Sequence, residues 1–164
     1  LPARISLVAA ANPCPCGRGE EDPACACAGA AIRRYRNLLS GALADRIDMI
    51  VAVSQPSAES MAGPLGEGSK PVRDRVLAAR ERMYLRLGEG RPNSLATSAE
   101  ISGFETEPAA LSLLSAAYQR HRMSGRAHDR VLRLARTVAD LEASEAIGES
   151  HLARALQLRR RGMA

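Results

Sequence analysis

Ser124-Gly125-Arg126-Ala127-His128-Asp129-Arg130-Val131-Leu132-Arg133-Leu134-Ala135-Arg136-Thr137-Val138-Ala139-Asp140-Leu141 is the stretch whose reading decides the fold. Apolar residues at 127, 131, 134 and 138 recur at helical spacing, so one face of a helix is apolar. Arginines 126, 130 and 133 share a neighbouring face. Asp129 with Arg133, and Arg136 with Asp140, stand at the spacing of surface ion pairs and read as a solvated side. Arg126 differs from the rest of its row. It falls in the first turn beside Gly125, where unpaired amides favour anions, so a cation there is poor for the helix and well placed to meet a phosphate.

Working outward, helical periodicity continues on both sides. Pro71 suits a first turn, and Val72, Val76, Ala79, Met83 and Leu87 follow at spacings of three and four until Gly88. A second helix is expected from Thr106 as cap through Leu111, Leu114, Ala117 and Tyr118. The 124–141 helix is the third, and a fourth covers Glu149 to Arg160 with Leu152 and Leu156 buried. Residues 71–164 therefore read as a small helical bundle, with 54–70, rich in Pro, Gly and Ser, as linker.

Residues 1–53 have another character. Ile5 to Ala11 is a nearly continuous apolar run ending at Asn12-Pro13, the pattern of a strand buried on both faces in a parallel sheet. Ile47 to Val53 reads as a second strand, and Ala30 to Ser40 as a short helix carrying Arg33, Arg34 and Arg36, stopped by Gly41. The fold expected is an α/β fragment followed by an α-helical bundle. Because Leu1 already opens inside a strand pattern, the chain reads as part of something longer.

With 164 residues, 46% apolar and 25% charged, composition excludes disordered and fibrous classes. The four aromatics, Tyr35, Tyr84, Phe104 and Tyr118, leave too few rings for a base-stacking sheet. Lys70 is the one lysine among 23 basic residues, and the net charge of +5 makes an anionic partner such as nucleic acid or nucleotide phosphate plausible. No apolar run approaches the roughly 18 residues of a membrane span, and no secretory leader is visible, so a cytoplasmic protein without a membrane partner is expected.

The sharpest local signal is Cys14-Pro15-Cys16-Gly17 followed by Cys25-Ala26-Cys27, in the loop 12–29. Four thiolates within fourteen residues can surround one tetrahedral zinc ion. With four protein ligands no position stays open for catalysis, so the expected role is structural. The competing readings are a disulfide pair, without a secretory context to favour it, and unliganded thiols left from a lost site. The Gly63-to-Lys70 stretch is not a phosphate loop, since Ser69 intervenes before Lys70 and no strand leads into it. His121, His128 and His151 lack metal-binding spacing. From position alone, Asn12 is a strand-end turn residue, and Arg46, between Asp45 and Asp48, a local ion pair.

Taken together and in order, Leu7-Val8-Ala9-Ala10-Ala11-Asn12-Pro13-Cys14-Pro15-Cys16-Gly17, Ser40-Gly41-x-Leu43-x-Asp45-Arg46-Ile47-Asp48, Val72-Arg73-Asp74-Arg75-Val76-x-x-Ala79-Arg80 and the 124–141 stretch resemble the magnesium-chelatase-like AAA+ ATPases. Within them they are most similar to the competence-protein (ComM, or YifB) group, as its C-terminal third. The resemblance implies a nucleotide held with Mg between subunits of a homo-oligomeric ring, commonly hexameric. It implies that Asn12 is sensor 1, orienting the attacking water, that Arg46 is an arginine finger, and that Arg126 is sensor 2 on the lid helix. It also implies action on DNA, as a branch-migration helicase in natural transformation. The phosphate loop and the acidic strand end that hold ATP and Mg would lie before Leu1, so these residues alone are expected to be inactive. A magnesium chelatase subunit is one alternative, disfavoured by the Cys-Pro-Cys-Gly insertion. Another is a non-enzymatic, zinc-stapled helical module that binds nucleic acid.

Overall fold

The computed structural model describes residues 6–38, 46–64 and 66–160, which fall into two compact units divided between Arg46 and Ile47. Ile5, Leu39 to Asp45 and residues 161–164, on which parts of the expected strand, helix, Gly41 stop and bundle fall, lie outside the described residues.

In the N-terminal unit a cysteine-rich turn leads into α1 (Gly29–Leu38). Ile32 of α1 and Cys14 are its buried apolar residues. The strand expected over 5–11 is not formed at Ser6 to Ala11, which has no ladder and is exposed, with Val8 at 93%. A strand is stable only against a neighbouring strand that takes up its N–H and C=O groups. None stands beside it among the described residues.

The C-terminal unit is helical, as the periodicity predicts. It contains α2 (Ala58–Ala62), α3 (Ser69–Leu87), a 3-10 turn at Asn93–Leu95, α4 (Ser98–Ser102), α5 (Pro108–His121), α6 (Gly125–Leu141) and α7 (Glu149–Arg160). α6 is the hub, packing on α7, α3, α4 and the 3-10 turn, while α5 packs on α7. Ala96, Ile101, Phe104, Ala110, Leu114, Val131, Ala135, Ile147, Leu152 and Ala155 form the core around it. Burying a side chain such as Leu152 contributes about 1.5–3 kcal/mol. The second expected strand, Ile47 to Val53, is likewise irregular. Its Ile50 N–H donates to the Leu158 carbonyl at 2.9 Å, a single bond in place of a ladder.

Three boundaries differ from expectation for local reasons. α3 begins at Ser69, two residues before Pro71, and only its second half, at Ala79, Met83 and Leu87, is buried. Thr106 does not cap α5. Its hydroxyl donates back to the Phe104 carbonyl, its backbone bridges in parallel to Ile147, and Glu107 stands at the cap with Pro108 in the first turn. The stretch between α3 and α5 holds a capping box on α4, in which Thr97 accepts from the Glu100 N–H and Glu100 accepts from the Thr97 N–H.

The inner face of α6 is rotated by about one residue from the expected stripe: Val131, Leu132, Ala135, Arg136, Ala139 and Asp140 are buried. The Arg136–Asp140 pair is thus interior, not solvated. Asp140, fully buried, accepts from both Nη groups of Arg86 on α3 (2.5 and 3.2 Å) and from Asn93 Nδ2 (2.8 Å). Arg136 places Nε 3.2 Å from Asp140 Oδ1 and donates through its Nη groups to the Glu145 and Ser144 carbonyls. Burial pulls its guanidinium below the usual arginine range, opposed by the Asp140 charge. Such a network keys α3, α6 and the 3-10 turn into one register because an unpaired buried charge is costly.

Candidate metal centre and lid arginines

The four cysteines expected to act together are together. Their sulfurs all lie within 4.8 Å of one another. Cys14 Sγ is 3.4 Å from Cys16, 3.8 Å from Cys25 and 4.0 Å from Cys27, and Cys16 to Cys25 is 3.7 Å. No disulfide joins them. A tetrahedral zinc with Zn–S bonds of about 2.3 Å separates its sulfurs by about 3.8 Å, so the donor set fits that ion.

The turn is built by glycine and by backbone amides aimed at Cys14. Gly17 N–H donates to the Cys14 carbonyl at 3.0 Å, and Gly19 N–H to Cys14 Sγ at 3.2 Å. Gly17 and Gly19 sit at φ of 85° and 94°, which side-chain-bearing residues adopt poorly. Asp22 closes the return, its carbonyl accepting from Cys25 N–H and its carboxylate from Ala24 N–H. The Gly19 amide holds the Cys14 thiol down at about 6, whereas hydrogen bonding with Cys16 pushes Cys27 up to about 12. One thiolate forms readily, and the crowded sulfurs resist carrying further negative charge unless a cation shares it.

The arginine row on α6 is divided by its surroundings. Arg133 donates from Nε and Nη2 to the Ala96 carbonyl at 3.0 and 2.7 Å. Arg130 sets Nε 3.5 Å from Asp48 Oδ1. Arg126 is exposed and has no polar partner among the described residues. Ser124 caps the helix by accepting from Ala127 N–H, so Arg126 stands over a first turn whose other amides point outward. Asn12 is exposed beside the cysteine turn, and Arg46 is exposed at the end of the N-terminal unit. Gly17 and Gly19 escaped the sequence reading as site residues, although two glycines between paired cysteines are a signal for tight turns about a metal.

The paired-cysteine turn, the helical C-terminal unit and the motif order define one class. Residues 66–159 match the family described as magnesium chelatase, subunit ChlI C-terminal, and residues 1–61 the magnesium chelatase, subunit ChlI family, so the chain belongs to the AAA+ magnesium chelatase ChlI family. It is 40% identical over 98% of its length to an uncharacterized protein of Mycobacterium tuberculosis. It is 36% identical over 97% of its length to competence protein ComM of Haemophilus influenzae, and 36% over 96% to the uncharacterized protein YifB of Escherichia coli. The chain spans about a third of the length of these relatives, 32%, 31% and 31% respectively. No helix among the described residues is long and apolar enough to cross a membrane.

Proposed function

We propose that this chain is the sensor, finger and lid portion of a ring-forming ATPase that acts on DNA. Similarity to ComM along 97% of the chain carries the reading, and the unpartnered Arg126 at the α6 N-terminus supports it. Asn12 orients the attacking water. Arg46 reaches into a neighbouring subunit's site and neutralises charge developing on the transferred phosphoryl oxygens, while Arg126 closes on the phosphates with the lid. Arg133 is engaged by the Ala96 carbonyl, and the first-turn position favours Arg126 over Arg130 as the lid's phosphate contact. ATP would enter with Mg, which supplies charge neutralisation at the phosphates. Leu7 to Ala11 and Ile47 to Val53 become sheet strands when ladder partners from the rest of an α/β core adjoin them. Zinc is the metal of the Cys14, Cys16, Cys25 and Cys27 site and shapes the loop without entering the reaction. The basic charge suits a DNA partner, and a hexamer is the ring size favoured.

The test is DNA-stimulated ATPase of the full-length protein, with nucleotide binding and gel filtration in parallel. Arg46→Ala should lower kcat by about 10³-fold or more, the worth of an arginine finger, with ATP affinity nearly intact. Arg126→Ala should weaken nucleotide binding as well as turnover. Loss of ATP binding in Arg46→Ala would place that residue in its own subunit's site and refute the finger assignment.

A further inference from the structure

Cys14 follows Asn12 by two residues and is fully buried. Its carbonyl and its sulfur receive the Gly17 and Gly19 amides, so the turn doubles back across the residues that precede it. A Cβ placed on Gly17 would lie 3.5 Å from Asn12 Nδ2 and 3.7 Å from Asn12 Cγ, and one on Gly19 would lie 3.5 Å from Pro13 Cγ. The Gly17 backbone therefore runs beside the Asn12 carboxamide, and that of Gly19 beside Pro13. These separations leave room for a methyl group. What demands glycine is the left-handed backbone, not space. The carboxamide has no hydrogen-bond partner among the described residues. Its polar atoms are therefore available, with the Gly17 backbone as a neighbour.

We propose that Gly17 is a positioning residue for Asn12, and that metal in the four-sulfur turn sets the rate of nucleotide hydrolysis by fixing the direction of the Asn12 carboxamide. The inference rests on the reading of Asn12 as the group that orients water. With metal bound, the sulfurs lock the turn and hold the Gly17 backbone beside Asn12. Without it, the turn relaxes and the carboxamide samples other rotamers. Nucleotide affinity, carried elsewhere, is unaffected.

The test is a double-mutant cycle in the full-length, zinc-loaded protein, reading kcat, ATP affinity and zinc content. Gly17→Ala should lower kcat by about tenfold or more, since small misplacements of catalytic groups are costly, with ATP affinity unchanged. Combined with Asn12→Ala it should add less than about twofold, because both changes remove one function. Gly17→Ala with wild-type kcat, or losses that multiply in the double variant, would overturn the proposal. Should Gly17→Ala lose zinc, chelation decides. Stripping zinc should slow the wild type by about tenfold and leave the residual rate of Asn12→Ala unchanged, and equal slowing of both would refute the coupling. Amide exchange gives a readout independent of turnover. Zinc removal should accelerate exchange at Gly17 and Gly19, and unchanged exchange there would exclude the staple. Wild-type kcat in Asn12→Ala itself would remove the reading of Asn12 on which all of this stands.

Discussion

The two units of this chain hold themselves together by different means. In the C-terminal unit, a dozen buried apolar residues and one interior ionic network make order a property of the polypeptide. Among the described residues the N-terminal unit buries Cys14 and Ile32 as its apolar side chains and brings four sulfurs to one point. One unit is stable by packing. The other gathers four potential metal ligands in the turn that follows Asn12.

The largest effect that can break this contrast is expected from the proposed zinc. Structural zinc sites of this kind are worth about 10–16 kcal/mol of apparent binding free energy at neutral pH. Cys14→Ser, or chelation, should abolish zinc content and remove exchange protection from residues 14–32, with protection in α5, α6 and α7 unaltered. Unchanged zinc content in Cys14→Ser would refute that ligand. Loss of protection in both units would show that they do not stand independently.

A second variant probes the opposite unit. Asp140→Ala leaves the buried Arg136 without its carboxylate and deprives Arg86 and Asn93 of their acceptor. Breaking a buried pair in this way costs about 3–5 kcal/mol. Denaturant midpoints read on α3 and α6 should fall accordingly while zinc content stays stoichiometric. Replacing Arg86, Arg136 and Asp140 together by apolar residues of similar volume should recover much of the loss, as the cost lies in the unpaired charges. A midpoint unmoved by Asp140→Ala would mean that water reaches the pair.

Much of this architecture was legible in the residues, and the exceptions have physical causes. Helical periodicity located α3, α5, α6 and α7 because their apolar faces must be buried within the same stretch of chain. Cysteine spacing located the sulfur cluster, since four thiols so close in sequence have few other arrangements. The phase of α6 was not legible. Arg136 and Asp140 read as solvent-facing because charge is usually exposed, and the donors to Asp140, Arg86 and Asn93, lie 54 and 47 positions away. Nor could the apolar pattern at 5–11 and 47–53 show whether a ladder partner was present, because it records a preference for a sheet and not the sheet itself. The Thr97-x-x-Glu100 box was readable but hidden in a stretch that looks polar and irregular.

The smallest effect concerns acid, which should dismantle the two units at different points. Protons compete with a metal for sulfur, and thiols bind protons far above the carboxylate range, so the N-terminal unit should lose the proposed zinc first as pH falls. In the C-terminal unit Glu100 titrates much later. It accepts from Arg91 Nη1 and Nη2 at 2.7 and 2.9 Å and from the Thr97 amide and hydroxyl, and the Arg91 guanidinium followed by the Thr97 amide holds its carboxyl down at about 2, against an ordinary 4.5. A carboxylate depressed on folding contributes stability that is complete above its unfolded value and is lost as pH falls toward its folded one. The contribution from Glu100 is therefore constant down to about 4.5 and disappears between there and about 2. Glu100→Gln should lower the melting point of the α4 region slightly at neutral pH and flatten its decline across that acid window. Because the groups are partly exposed, the effect should shrink with added salt. If Glu100→Gln and the wild type decline in parallel between those values, the Arg91–Glu100 pair contributes nothing, and apolar packing alone holds α4 in place.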